Sequence, residues 1–285
     1  LAGNAVGIAA AATMALTPVF VFQLVQPMND VFVAMLWTAM LVVALRYPER
    51  TATIGVLAGL PLLIRPNLGP AVIPLAMWCA RAGWSGFVRF AFAAVPFVGV
   101  LLMSNAALYG HPFRTGYGVA SDLFSPSYAA ENFRNYGDAL WRTQLAFPLV
   151  GLAAVTAAPP QHRRTVAMVL ATALLIGVVY LVYRPLPEWW YLRFVLPAMP
   201  ALTVLALAVP VWASRRTWVV APIVLVLAGY TTTSAAMREA FDLSRLERRF
   251  RTAAAVARDR LPEQSVLITV WESGSVRYHA GREAV

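Results

Sequence analysis

The 285 residues are 60% hydrophobic and only 13% charged, with a mean hydropathy of +0.65. Soluble domains carry about 25% charged residues, so this composition excludes a soluble fold for most of the chain and indicates a polytopic membrane protein. All 23 basic residues are arginine and give a net charge of +10. Many of them stand in short breaks between apolar runs, where arginine sets membrane orientation, so nucleic acid is not an expected partner.

Apolar runs follow one another along residues 1–236. A helix needs about 20 mostly apolar residues to cross the hydrocarbon, and the sequence predicts nine membrane helices on this basis. The third and fourth are short, and Pro66 between them cannot continue a helix without a break. The predicted spans are 1–24, 29–46, 52–64, 67–80, 87–108, 143–158, 165–183, 192–213 and 217–236.

Pairs of arginines occupy every second break between these spans. If each span crosses once, the four pairs lie on the same side, which the positive-inside rule makes cytoplasmic. The remaining breaks then face outward, namely 26–30, 65–67, the long loop Tyr109–Arg142 and 184–193. The four pairs are Arg46 and Arg50, Arg81 and Arg89, Arg163 and Arg164, and Arg215 and Arg216.

The character of the sequence changes after the last span. Residues 244–261 are charged and have apolar positions near a 3.6-residue period, which predicts a helix that Pro262 ends. SVLITV at 265–270 is typical of a strand, and a glycine turn follows. We therefore expect a membrane domain over 1–236 and the start of a small soluble α/β region, outside the cell, over 237–285.

Asp30 is the only acidic residue among the first 48 and lies at the predicted outer end of a span. A lone carboxylate at a membrane boundary is costly unless it is solvated or has a partner. One interpretation makes Asp30 or Asn29 the N-cap of the following helix. The other makes Asp30 a functional carboxylate, acting as a base or as a metal ligand.

Arg65 stands between two apolar runs, on the predicted outer side, against the positive-inside bias. A planar guanidinium binds phosphate through two parallel hydrogen bonds, so a phosphate is one natural partner. Snorkelling of the side chain to lipid head groups is the alternative.

Arg193 lies at the predicted mouth of a span, in the stretch EWWYLRFVLPAMP at 188–200. The aromatic residues beside it match an interfacial belt, and Arg193 adds a second cation at the same depth. Glu188 could pair with Arg193 or with Arg184.

The stretch YGHPFRTGYG at 109–118 opens the long outward loop. Its glycines allow sharp bends and close approach of a ligand. Tyr109, His111, Arg114 and Tyr117 offer the hydrogen bonds that bind sugars and phosphates, although a single histidine is more often structural than catalytic.

Several chemistries have no signature here. The chain lacks a Walker-type glycine loop and a G-x-S-x-G serine elbow, and its three histidines are scattered. No Asp, Glu or Lys lies in the middle of a predicted span, which argues against an ion or proton relay.

Four stretches in this order resemble the GT-C superfamily of membrane glycosyltransferases. The likeness is to bacterial enzymes of the RgtA/B/C/D-like kind, related to protein O-mannosyltransferases and the lipid A aminoarabinose transferase. The stretches are the P-x-N-D step at 27–30, GLPLLIRPN at 59–67, YGHPFRTGYG at 109–118 and YLRFVLPAMPAL at 191–202. The tail from 261 also looks like the soluble ending of such proteins.

The resemblance implies an inverting transfer of sugar from a polyprenyl-phosphate donor to an extracytoplasmic lipid, glycan or protein acceptor, in the bacterial inner membrane. It places Asp30 at an acidic position near the donor or near a divalent metal, Mg or Mn, and makes Asp30 the candidate catalytic residue. It makes Arg65 and Arg193 the phosphate ligands. The residues expected to line the sugar or acceptor pocket are Tyr109, His111, Arg114, Tyr117 and Glu188.

The family's principal catalytic carboxylate lies in the first outward loop, which would precede Leu1. The resemblance therefore implies that this stretch of chain alone is inactive. Two other classes of function stay open at this stage: a transporter or lipid flippase, which should show internal repeats, and a non-catalytic membrane assembly subunit.

Overall fold

The computed structural model describes residues 2–26, 28–241, 243–262, 264–268 and 276–281. The chain forms two compact units, Leu1–Arg238 and Glu239–Val285, and its described residues are predominantly helical. The α-helices are α1 (Asn4–Ala15), α2 (Pro18–Val25), α3 (Asp30–Arg46), α4 (Thr51–Ile64), α5 (Ile73–Ala80), α6 (Trp84–Tyr109), α7 (Ala120–Leu123), α8 (Ala129–Gln144), α9 (Ala154–Ala157), α10 (Arg163–Leu181), α11 (Met199–Ser214), α12 (Val220–Met237) and α13 (Leu243–Arg260). Short 3-10 helices precede several of them: Pro66–Val72, Pro126–Tyr128, Phe147–Ala153, Pro160–His162, Trp189–Ala198 and Thr217–Val219.

Four helical segments of the described chain are long and apolar enough to cross a membrane. They are Trp84–Tyr109, Pro160–Leu181, Trp189–Ser214 and Thr217–Met237. The helices α1 and α2 would give a fifth span if they are taken together, and they meet at a bend of 62°. The protein therefore has the helices of a membrane protein, and the runs predicted at 87–108, 165–183, 192–213 and 217–236 form helical segments of sufficient length and apolar character to be spans.

The structure does not show nine spans. Helices form at the other predicted positions, but each is shorter than the about 20 residues that a membrane helix typically has. The run predicted at 67–80 divides into the 3-10 helix Pro66–Val72 and α5, with Pro70 inside the former. The run predicted at 143–158 begins with Leu145 and Ala146 in left-handed conformation and yields an apolar helix of only 11 residues. Proline and these two residues interrupt apolar runs that composition alone treats as continuous.

The main core of the first unit joins several of its helices. Trp37 of α3, Ile54 of α4, Leu75 of α5, Ile176 of α10 and Leu205 of α11 are all fully buried in one cluster. This core fixes the ends of α3, α4 and α10 relative to one another, and the candidate site lies at those ends.

Helices α4 and α6 approach each other closely through two glycines of α4. A Cβ added to Gly55 would lie 2.2 Å from the backbone oxygen of Phe90, and one added to Gly59 would lie 2.3 Å from the ring of Phe97. The two glycines are spaced as in the G-x-x-x-G motif that brings membrane helices together.

The long loop predicted at Tyr109–Arg142 contains the 16-residue helix α8. Asn132, Ala139 and Thr143 face the core, whereas Phe133 and Trp141 are exposed. Asn132 donates hydrogen bonds to the backbone oxygens of Leu181 and Tyr183. A buried side chain of α8 thereby satisfies carbonyls at the end of α10, which no intrahelical donor can reach.

The segment before α8 is tied to the end of α10. A hairpin of β1 (Arg114–Thr115) and β2 (Gly118–Val119) turns through two residues, with Gly118 at φ +100°. Beyond it, the backbone nitrogen of Ser125 donates to the oxygen of Val182 at 2.8 Å, and that of Arg184 donates to the oxygen of Leu123 at 2.7 Å. These bonds hold the segment before α8 against residues 182–184.

The second unit contains α13, which ends two residues before Pro262, as predicted. Its Ala254 and Ala257 are buried, and α13 packs against a π-helix, Val276–Ala280. In the predicted strand 265–270, residues 265–268 are described and include one bridge residue, Leu267. The other two residues and the predicted glycine turn at 271–275 lie outside the described residues.

Candidate functional site

Helices α3 and α4 form an antiparallel pair whose two ends carry different charges. Arg46 ends α3 and Arg50 precedes α4 at one end. Asp30 begins α3 and Arg65 follows α4 at the other end. A carboxylate at a helix N-terminus and a guanidinium at a C-terminus both complement the helix dipole. Asp30 and Arg65 are therefore each stabilised by the dipole of the helix whose end they occupy.

Pro66 explains the conformation of Arg65. Proline disfavours the helical region for the residue before it, and Arg65 adopts φ −136° and ψ 82° as the C-cap of α4. Its backbone nitrogen still closes the last turn by donating to the oxygen of Pro61 at 2.7 Å. The break ends α4 and leaves the guanidinium beside the first turn of α3.

Asp30 and Arg65 form an ion pair through Oδ1 and Nη2. The side chain of Asp30 is 1% exposed and that of Arg65 is 13% exposed, so neither charge is well solvated. Removing one partner of such a pair leaves a buried charge uncompensated, at a cost of about 3–5 kcal/mol. The pair is therefore a strong constraint on the geometry of the site.

Further groups surround the Arg65 guanidinium. Its Nη1 lies 3.5 Å from the hydroxyl of Tyr180, which also accepts a hydrogen bond of 2.9 Å from Nδ2 of Asn67. Its Cζ lies 5.4 Å from the ring centroid of Phe194. Each of these contacts restricts the rotation of Arg65.

Arg193 approaches the pair from the 3-10 helix Trp189–Ala198. Its Cζ lies 5.1 Å from the ring centroid of Tyr191 and 5.2 Å from that of Phe194, and its charge is close enough to act on Asp30. Its Nη1 lies 2.6 Å from the sulfur of Met28, a weak acceptor. Its Nε is buried and has no hydrogen-bond partner in the part of the chain that the structure describes. Arg193 is thus a cation whose hydrogen-bonding capacity is mostly unused.

Three tyrosines and Phe194 form the aromatic wall of the site. The rings of Tyr180 and Phe194 stack with centroids 5.2 Å apart, and Tyr183 meets Phe194 edge-on at 5.4 Å. Tyr136 of α8 lies near both tyrosines, and burial raises its pKa well above the ordinary range for tyrosine. Tyr136 therefore stays a neutral phenol that can donate a hydrogen bond at physiological pH.

Three of the predicted site residues, Asp30, Arg65 and Arg193, are therefore brought together. The N-cap position of α3 belongs to Asn29, and the Asp30 carboxylate is engaged by Arg65. Arg65 turns toward that carboxylate in the protein interior, which differs from snorkelling to head groups. The catalytic role of Asp30 stays a prediction.

The loop residues predicted to bind substrate lie apart from this cluster. The Tyr109 ring covers Gly116 of the hairpin turn, and His111 Nδ1 accepts from the backbone nitrogen of Phe113 at 3.2 Å. Arg114 is exposed on β1. Tyr117 is 82% exposed but lies within electrostatic range of Tyr183. Through Tyr117 the hairpin borders the aromatic wall.

Glu188 is exposed and immediately precedes the 3-10 helix that carries Arg193. Its backbone oxygen accepts from the nitrogen of Tyr191 at 3.0 Å. Among the described residues, its carboxylate forms no ion pair with Arg184 or Arg193, so the predicted pairing is absent from this structure.

The described residues do not provide a ready metal site. Nowhere in the described ranges do three or more His, Cys, Asp or Glu side chains come together, and the Asp30 carboxylate faces a guanidinium. The site therefore does not fit the predicted Mg or Mn ion.

Sequence reasoning missed five members of the cluster: Asn67, Tyr136, Tyr180, Tyr183 and Phe194. Asn67 lies in the RPN break, and a polar residue between two apolar runs could have indicated a site residue. The four aromatic residues carry no such signal, because aromatics near span ends are typical of interfacial belts.

Two guanidiniums and one carboxylate leave the cluster with one excess positive charge. The unused donors of Arg193 and the phenol of Tyr136 can bind a further anion, and phosphate is one of the anions that match the planar guanidinium. Comparison with protein-family models, with curated proteins and with solved structures finds no match to this chain.

Proposed function

We propose that this protein is an integral membrane glycosyltransferase that moves a sugar from a polyprenyl-phosphate donor to a lipid, glycan or protein acceptor. The observation that carries the proposal is the juxtaposition of Arg65 and Arg193 on Phe194, with Asp30 neutralising only one of them. Such a cluster suits a ligand with a phosphate next to an apolar chain.

The position of the cluster along the helices supports a lipid-linked ligand. α3, α4, α10 and the helical segment Trp189–Ser214 all have arginines at one end and cluster residues at the other. A polyprenyl phosphate is amphiphilic, so its phosphate must lie near head-group depth while its chain stays in the hydrocarbon. By the positive-inside rule the cluster end would face outward, in the plasma membrane of a bacterium.

The proposed roles follow from the contacts. Arg193 binds the phosphate of the sugar donor through the N–H groups that the protein leaves unused. Arg65 adds positive charge from a fixed position. Asp30 positions Arg65 through their ion pair. The two cations would stabilise the negative charge that develops on the leaving phosphate during inverting displacement at the anomeric carbon. The sugar would lie toward the aromatic wall and the hairpin, where Tyr117 is exposed.

Transfer by the reconstituted full-length protein tests this function. Proteoliposomes are supplied with a polyprenyl-phosphate sugar and a membrane extract as acceptor, and the labelled product is measured. We expect transfer by the wild type, and for Arg193→Gln a KM for the donor higher by about tenfold or more. Arg184→Gln removes an exposed arginine nearby and should retain wild-type kinetics. Movement of the labelled lipid between leaflets without sugar transfer would instead identify a flippase.

A further inference from the structure

A second group of cations lies at the far end of α8, apart from Asp30, Arg65 and Arg193. A cavity of about 200 Å³ opens between the last turns of α8 and the last two turns of α12. Trp141 and Arg142 line it from α8, and Tyr230, Thr233 and Met237 line it from α12, with Arg238 immediately after.

The base of this cavity is fixed by hydrogen bonds to one carbonyl. The backbone oxygen of Arg142 accepts from the Tyr230 hydroxyl at 3.2 Å, from the Ser234 hydroxyl at 2.9 Å and from Nη2 of Arg238 at 3.3 Å. This oxygen belongs to the last turn of α8, where carbonyls have no intrahelical partner. The end of α8 and the end of α12 are therefore joined, and the cavity is preorganised.

Both arginines of the cavity keep donors free for a ligand. Arg238 uses Nη2 on that carbonyl and Nε on Ser234 at 3.3 Å, and its Cζ lies 5.8 Å from the ring centroid of Trp189. Arg142 uses Nε on Asp138 at 2.7 Å. Within the described chain no hydrogen bond uses Nη1 of Arg238 or either Nη of Arg142. Two guanidiniums against one carboxylate again leave one positive charge in excess.

The cavity also borders an apolar surface that leads into the membrane. α12 belongs to the candidate span Thr217–Met237. Val226 lies one turn before Tyr230 on the same face of α12, and that face continues through Met237. Val226 and Met237 are both strongly exposed. Trp141 is also exposed, and tryptophan is a residue type that anchors proteins at the membrane surface.

We propose that this cavity binds the head-group phosphate of an anionic phospholipid. The free donors of Arg142 and Arg238 hold the phosphate, and an acyl chain runs along the exposed face of α12 past Val226. The ligand carries a phosphate joined to an apolar chain, and it is a bulk lipid of the membrane.

Native mass spectrometry of the full-length protein tests the site. The probes are phosphatidylglycerol, phosphatidylcholine and inorganic phosphate. We expect phosphatidylglycerol to bind more tightly than phosphatidylcholine, and the double variant Arg142→Gln/Arg238→Gln to weaken phosphatidylglycerol binding by about tenfold. The matched control Arg215→Gln/Arg216→Gln removes the same charge before α12 and should bind phosphatidylglycerol as the wild type does.

The single variant Arg142→Gln controls for misfolding, because among the described residues the guanidinium pairs with the exposed Asp138 alone. We expect this single variant to weaken phosphatidylglycerol binding by about threefold. Equal binding of the two lipids by the wild type, or equal losses in the test and control variants, would overturn the proposal. Displacement of phosphatidylglycerol by millimolar inorganic phosphate would also overturn it, since the site would then be one for free phosphate.

Discussion

Arg65 and Arg193 lie over the same ring, with their Cζ atoms 5.4 and 5.2 Å from the centroid of Phe194. They come from elements that are 128 residues apart in the chain. Two guanidiniums repel each other, and among the described residues only Arg65 has a carboxylate partner, Asp30. A bound phosphate would relieve this repulsion, which is the physical basis of the proposed donor site.

The ion pair of Asp30 and Arg65 should contribute strongly to stability. Asp30→Asn leaves the Arg65 guanidinium buried without its counter-charge, and we expect the free energy of unfolding to fall by about 3 kcal/mol. Reversible unfolding in detergent measures this change. Asp138→Asn breaks an exposed pair and should cost less than about 1 kcal/mol.

A double variant separates the pair from the individual side chains. Asp30→Asn combined with Arg65→Met removes both charges, so its cost should be smaller than the sum of the two single costs. Additive losses would show that Asp30 and Arg65 do not act as a pair.

The hydroxyl of Tyr180 should matter more than that of Tyr183. Tyr180→Phe leaves the Asn67 amide without its 2.9 Å partner and removes a contact of Arg65, so we expect a loss of about 1–2 kcal/mol in the free energy of unfolding. In the described chain no hydrogen bond uses the Tyr183 hydroxyl, and Tyr183→Phe should be near neutral. Equal effects of the two substitutions would contradict the assigned network.

The contact between α4 and α6 should be sensitive to a single added methyl group. At Gly55 a Cβ would lie 2.2 Å from the backbone oxygen of Phe90, so Gly55→Ala requires the two helices to separate. We expect a loss of about 2 kcal/mol or more, because overpacking displaces backbone. Gly99 of α6 has no neighbouring heavy atom within 4 Å of such a Cβ. Gly99→Ala should therefore be neutral or slightly stabilising, and thermal unfolding of both variants checks the difference.

The charged members of the site could be predicted from the sequence because each is an unusual residue type for its position. Asp30 was the lone acid among 48 residues, and Arg65 stood against the positive-inside bias. Their pairing could be anticipated only in part, since the short break at 47–50 makes α3 and α4 antiparallel neighbours. The placement of Arg193 against them depends on packing between distant segments, which periodicity does not encode.

The number of membrane spans was harder to predict from the sequence than the positions of the helices. Composition marks an apolar run but does not show where a chain turns within it. Pro66 and the left-handed residues Leu145 and Ala146 shorten two of the runs. The helix α8 was not predicted, because its residues are mostly polar and do not form an apolar run. Only one face of α8 meets the core.

The affinity for polyprenyl phosphate tests the central claim most directly. Its dissociation constant is measured for the wild type, Arg65→Gln, Arg193→Gln and the double variant, with the unphosphorylated polyprenol as reference lipid. We predict that Arg193→Gln weakens polyprenyl phosphate binding by about tenfold or more, while polyprenol binds all four proteins equally. Unchanged affinity of Arg193→Gln for polyprenyl phosphate, or an equal loss for polyprenol, would contradict the account.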